Sequence, residues 1–211
     1  ELMCDKDFCT LYSLFMLALA RKELSTCSFR LFIGEKPNIT PVMNEDLSTK
    51  RTEEELKEAF VDEWGVKYSK DGRKLLKAPV DLSGAYSVKE GTRIICNNAF
   101  SDCSSLSKIV IPSGVTSIGN RAFSFCSSLK YISIPKSVIG LNGNPFADWN
   151  GKLQCLSPNF INEDDILFNK DKNKIISFRN QNIESYVIPS SVTSIGNDAF
   201  SKCSSLSKIV I

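Results

Sequence analysis

The sequence predicts an α/β solenoid: a right-handed coil of short strands and helical turns, with β-hairpin insertions and an α+β cap at its start. Three observations predict it. Phe100, Phe123 and Phe146 stand 23 residues apart, and Pro112, Pro135 and Pro158 keep the same step. A shift of 100 residues lays "NAFSDCSSLSKIVI" (98–111) on "DAFSKCSSLSKIVI" (198–211) without a gap. No single phrase of this length can hide its own Phe, Ile and Leu side chains, so neighbouring units must stack.

Residues 1–65 lie outside the repeat and form the expected α+β cap region. "LYSLFMLALA" (11–20) reads as a buried helix, since it is short for a membrane span. "CDKDFC" before it lacks the basic start of a signal peptide. The chain opens on Glu1 rather than Met, as a processed product would. "CSFRLFI" (27–33) reads as a strand, and Asn38-Ile39-Thr40 is a sequon weakened by Pro41. In "RTEEELKEAFVDEWG", Thr52 and Glu55 form a capping box. Leu56, Phe60 and Trp64 then share one helical face, and Gly65 is the expected C-cap. This region is expected to cover the apolar face of the first repeat.

The solenoid is expected over residues 66–211, with hairpins near 66–78 and 165–178. Asp71-Gly72 marks the turn of the first hairpin. The second lies where Pro158 to Pro189 spans 31 residues, eight more than the period. Within a unit, "LSKIVIP" turns Leu106, Ile109 and Ile111 inward and Lys108 and Val110 outward. Pro112 ends that strand because it has no N–H to donate. "AFSFCSSL" is expected to form a short helical turn that buries Phe123 and Cys126, three residues apart. Cysteines repeat in phase with Leu106 and Leu129, and Ile109 and Ile132, as in a leucine-rich solenoid. Cys103, Cys126 and Cys203 therefore read as small buried core residues, with disulfides between stacked slots as the alternative. Spacing leaves the state of Cys4, Cys9 and Cys27 undecided.

Composition removes several functions. Histidine is absent, so no nucleophile can use a histidine base and no metal a histidine ligand. Lys and Arg total 26 against 24 Asp and Glu, which is no footprint for nucleic acid. The densest acidic group of the repeat region is Glu163-Asp164-Asp165. Adjacent carboxylates diverge and make a poor pair across a scissile bond, so a hydrolase is the weaker alternative. No cofactor and no enzyme activity are expected.

"IGNRAFSFCSSLKYISIPKSV" (118–138) resembles the repeat of BspA-like leucine-rich repeat proteins, bacterial surface proteins of the treponemal type. Residues 195–211 match the same phrase as far as they run, and 95–115 depart from it at Cys96 and Gly114. Residues 143–158 are a degenerate copy, with Pro145 and Trp149 in place of Ala and Cys. The resemblance covers about residues 66–211. It implies a curved solenoid, an exported or cell-surface location, and binding of host or partner-cell proteins without catalysis. Any membrane attachment would run through an anchor outside this chain.

The candidate protein-binding residues are the outward ones of the concave strand face: Lys108 and Val110, Tyr131 and Ser133, Gln154 and Leu156, Ser185 and Val187, and Lys208 and Val210. Phe125 is a further exposed contact, because its slot holds Asp102 and Lys202 in sister units. The alternative role is a spacer or assembly element of the cell surface. The strand edge at Ile211 is expected to allow weak self-association.

Overall fold

Stacked apolar phrases must still satisfy their backbone groups, and this requirement shapes the coil. A computed structural model describes residues 48–211. The helix expected over 11–20, the strand over 27–33, the Asn38 sequon, and Cys4, Cys9 and Cys27 lie outside the described residues.

The chain alternates between two faces. After a one-turn helix, Glu53–Lys57, strands β1 (Phe60–Val61), β2 (Lys67–Tyr68) and β3 (Lys74–Lys77) run antiparallel. β4 (Gly84–Ser87) begins the front face, and β5 (Ile94–Ile95) joins β3 on the back. β6 (Leu106–Val110), β8 (Tyr131–Ile134) and β10 (Lys152–Cys155) are front strands. β7 (Ser117–Ile118) and β9 (Gly140–Leu141) are the back strands between them. The second module repeats the plan. β11 (Phe160–Glu163), β12 (Ile166–Asn169) and β13 (Lys174–Phe178) are antiparallel. β14 (Ser185–Val187) and β16 (Lys208–Val210) pair in parallel, and β15 (Ser194–Ile195) joins β13. Back strands keep the repeat step, with Ile95 opposite Ile118 and Ile118 opposite Leu141.

The return segment differs from its expected form. No helix forms over "AFSFCSSL"; the segment is a run of turns. Asn98, Asp102, Arg121, Phe125 and Asp148 all have φ between 53° and 67°. A residue in this left-handed region ends a right-handed helix. The freed N–H groups bond to the next coil instead: Asn98 to Asn120 at 2.9 Å, Phe100 to Ala122 at 2.8 Å, and Asp102 to Ser124 at 2.9 Å. The expected α/β solenoid is therefore a β-solenoid with little helix. Side chains extend this ladder. Asn97 Oδ1 accepts the Asn120 N–H at 2.9 Å, and Asn120 Oδ1 accepts the Asn144 N–H at 2.9 Å. Gly119 lies beside them because a Cβ there would sit 2.4 Å from Asn97 Oδ1.

The expected helix over 53–65 also stops early. The Thr52–Glu55 capping box forms, but the helix ends at Lys57. Asp62 Oδ1 then accepts the N–H groups of Trp64 and Val66, at 3.0 and 2.9 Å, which holds a turn. Phe60 pairs with Tyr68 as a strand residue, so Phe60 and Trp64 are exposed rather than on a buried helical face. Gly65 has φ 79°, but it closes this strand turn and caps no helix. Leu56 and Ala59 pack on a cluster of Leu76, Ile94 and Cys96. Glu55 also pairs with the Lys74 ammonium at 2.9 Å.

Phe100, Phe123 and Phe146 form a parallel stack through the first module. Their ring centroids are 5.6 and 6.0 Å apart and their planes differ by 8°. Beside them Cys103 donates to the Pro79 carbonyl at 3.3 Å and Cys126 to Phe100 at 3.0 Å; in the second module's core Cys203 donates to Phe178 at 3.4 Å. All three thiols are free. Burial raises the Cys126 thiol from an ordinary 9.0 to about 12 and that of Cys103 to about 11.

Two outcomes test this packing. Phe123→Ala should lower unfolding free energy in denaturant titration by about 3–5 kcal/mol. Phe125→Asn, at an exposed left-handed position, should change it by less than about 0.5 kcal/mol. The Cys126 contribution has its own pH signature. The folded thiol keeps its proton above the unfolded value, so this stabilisation is complete below pH 9 and declines as pH climbs toward 12. Cys126→Ala should accordingly flatten the alkaline fall of the unfolding midpoint.

Candidate functional site

Strand alternation builds the front face. Leu106, Ile109, Ile132 and Ile134 are buried, and their neighbours point outward. Val110, Tyr131 and Leu156 are 46%, 45% and 45% exposed. Lys108 and Gln154 are exposed and Ser133 is half-buried. β4 pairs with β6, β6 lies beside β8, and β8 pairs with β10. One surface thus carries Lys108, Val110, Tyr131, Ser133, Gln154 and Leu156. In the second module Ser185, Val187, Lys208 and Val210 are also exposed, on the β14–β16 pair. The antiparallel strands β11–β13 intervene in sequence between β10 and β14, so the front strands fall into two groups.

The register across β8 and β10 departs from the 23-residue step. Tyr131 stands opposite Lys152, and Gln154 opposite Ser133. Phe123 to Ile132 is nine residues, but Phe146 to Leu153 is only seven, so the return turn of the degenerate unit is two residues short. Lys152 is therefore a face residue that the periodic reading missed. Gln154 Oε1 accepts from Ser133 Oγ at 3.1 Å and from the Tyr131 hydroxyl. These bonds hold the Tyr131 ring across two strands.

The short turn has a cause. Trp149 occupies the cysteine slot and is buried, and its indole N–H donates to the Leu129 carbonyl at 2.7 Å. Gly151 follows because a Cβ there would lie 2.3 Å from the Trp149 ring.

Phe125 lies at a second place, a groove of about 530 Å³ lined by both modules. It is 43% exposed, and the Lys202 ammonium sits 4.3 Å from its ring centre. Most polar groups of the groove are spent inside the protein. Asp148 accepts from Ser124 at 3.3 Å and from Ser201 at 2.6 Å. Arg179 is 5% exposed and donates to Gly151 O at 3.1 Å and Asn162 Oδ1 at 2.6 Å. Desolvation lowers its guanidinium to about 10, with Asp165 at 3.8 Å opposing that shift. Arg121 pairs with Asp198 at 2.9 Å alongside. This is a joint between modules, and the front face is the more open surface.

The acidic run Glu163-Asp164-Asp165 takes structural places among the described residues. No group of metal-ligating side chains forms there. Asp164 and Asp165 are the left-handed turn between β11 and β12, with φ 50° and 61°, and Glu163 pairs with Lys172 at 2.6 Å. No helix among the described residues is long and apolar enough to cross a membrane.

Known proteins share this pattern. The BspA type leucine rich repeat region matches residues 93–177 and 171–211, in six copies. A leucine rich cell surface protein from Faecalibacterium prausnitzii is 26% identical, with a TM-score of 0.51. That match covers 60% of this chain and 41% of the other. The pneumococcal vaccine antigen PcpA is 28% identical with a TM-score of 0.54, over 61% of this chain and 33% of its own. The chain thus spans less than half the length of either. No curated protein matches it.

Proposed function

The chain belongs to the BspA type leucine-rich repeat family, and from that premise we propose that it is a non-catalytic protein-binding module of a bacterial surface or secreted protein. Its ligand is a host or partner-cell protein, and its role is adhesion. One observation carries this reading: Val110 and Tyr131 on β6 and β8, and Leu156 just past the end of β10, are exposed beside inward residues locked in the core. A tyrosine on a preorganised surface loses little entropy on binding and is among the usual anchors of protein interfaces, with the aliphatic neighbours excluding water around it. The cell-surface description of the Faecalibacterium protein supports an extracellular place for this chain.

A pull-down from extracellular-matrix and plasma proteins tests the reading. The intact chain should retain a protein that Tyr131→Asp loses by about tenfold or more, with an unchanged thermal midpoint. Equal retention by both chains would remove the face from the binding function and favour a surface spacer.

A further inference from the structure

Charge is distributed unevenly over this molecule. Lys plus Arg and Asp plus Glu nearly balance, at 26 and 24. Yet the exposed residues of the front strands β4, β6, β8, β10, β14 and β16 include Lys108, Lys152 and Lys208 and not one carboxylate. Strand propensity does not explain this, since lysine and the acids are all depleted in strands. The acids collect in the turns, where Asp102, Asp148 and Asp198 take the left-handed positions.

The lysines have a defined arrangement. Ala85 pairs with Lys108, Lys108 and Tyr131 share a repeat slot on adjacent strands, and Tyr131 pairs with Lys152. Tyr131 thus has Lys152 as its partner on the paired strand β10, and Lys108 in the same repeat slot on β6, which lies beside β8 without pairing to it. Neither lysine enters an ion pair among the described residues. Val110 is exposed on β6, two residues beyond Lys108 on the same side of the strand.

We propose that this face takes an acidic protein surface, with carboxylates meeting Lys108 and Lys152 on either side of an apolar side chain seated on Tyr131 and Val110. The proposal rests on the protein-binding reading of the same face. Two unpaired ammonium groups flanking an exposed ring attract carboxylates and repel cations, so the charge selects the partner and speeds encounter. The ring and the valine supply the desolvated centre.

The intact chain can be immobilised and exposed to three probes: a random Glu–Tyr copolymer, a random Lys–Tyr copolymer and heparin. The Glu–Tyr copolymer should bind, and more weakly as salt rises. The double variant Lys108→Glu/Lys152→Glu should weaken it by at least about tenfold. Lys57→Glu/Lys170→Glu, which reverses two exposed lysines away from the face, should leave it unchanged. All four substituted side chains are exposed, so both variants should fold. Preference for the Lys–Tyr copolymer, lost in Tyr131→Asp, would overturn the acidic partner and leave the face a binding surface. Heparin binding without copolymer binding would overturn it in favour of a sulfated polysaccharide. Copolymer binding that neither Tyr131 nor the lysine pair affects would overturn both this proposal and the function assigned to the face.

Discussion

The constraint on which the structure depends is constant pitch between coils. Phe100, Phe123 and Phe146 stack with nearly parallel rings because each coil brings the same slot to the same place. Offset parallel rings add to the burial of large apolar side chains. The same pitch aligns backbone donors with acceptors one coil on, as in the Asn98–Asn120 and Phe100–Ala122 bonds. Side chains obey it too, in the asparagine column and in the thiols that donate back to earlier carbonyls. A buried thiol here is a small hydrophobe with one weak donor, and the fold uses both properties.

Pitch cannot be kept where the chain changes course. The degenerate unit replaces a cysteine with Trp149, shortens its return turn by two residues and needs Gly151 beside the indole. The hairpin strands β12 and β13 follow, and Arg179 bonds to Gly151 and Asn162 across that junction. A buried guanidinium is costly unless paired and hydrogen-bonded, and here backbone, amide and carboxylate partners meet its two Nη groups while Nε is left without one. The same shortening sets Lys152 beside Tyr131. A core irregularity therefore alters the composition of the surface.

The turn column and the front face divide the chemistry between them. Left-handed positions favour short polar residues, and aspartate fills several. Among the described non-glycine residues at such positions Phe125 is the one apolar side chain, with φ 58° and a lysine against its ring. The strands meanwhile hold lysines, a tyrosine and aliphatic residues outward. Solenoid geometry converts a periodic sequence into a display in which each outward position can vary without disturbing the core.

Much of this was legible in the residues. The step from Phe100 to Phe123 determined the stacking, the family and the inward set Leu106, Ile109 and Ile132, because contacts between like positions leave a period. The outward side chains of "KIVI" and "YISI" followed from alternation alone. The capping box at Thr52 was readable, but the end of its helix was not, because Asp62 and the pairing of Phe60 with Tyr68 compete with helix extension. Tertiary structure alone decided that the return segment is a turn ladder, since its N–H groups find partners in another coil and not four residues away. It alone decided that Lys152, and not Gln154, is the register partner of Tyr131, and that Arg179 closes the joint. Those outcomes depend on path length between coils and on contacts with no periodic counterpart, which a repeating pattern does not record.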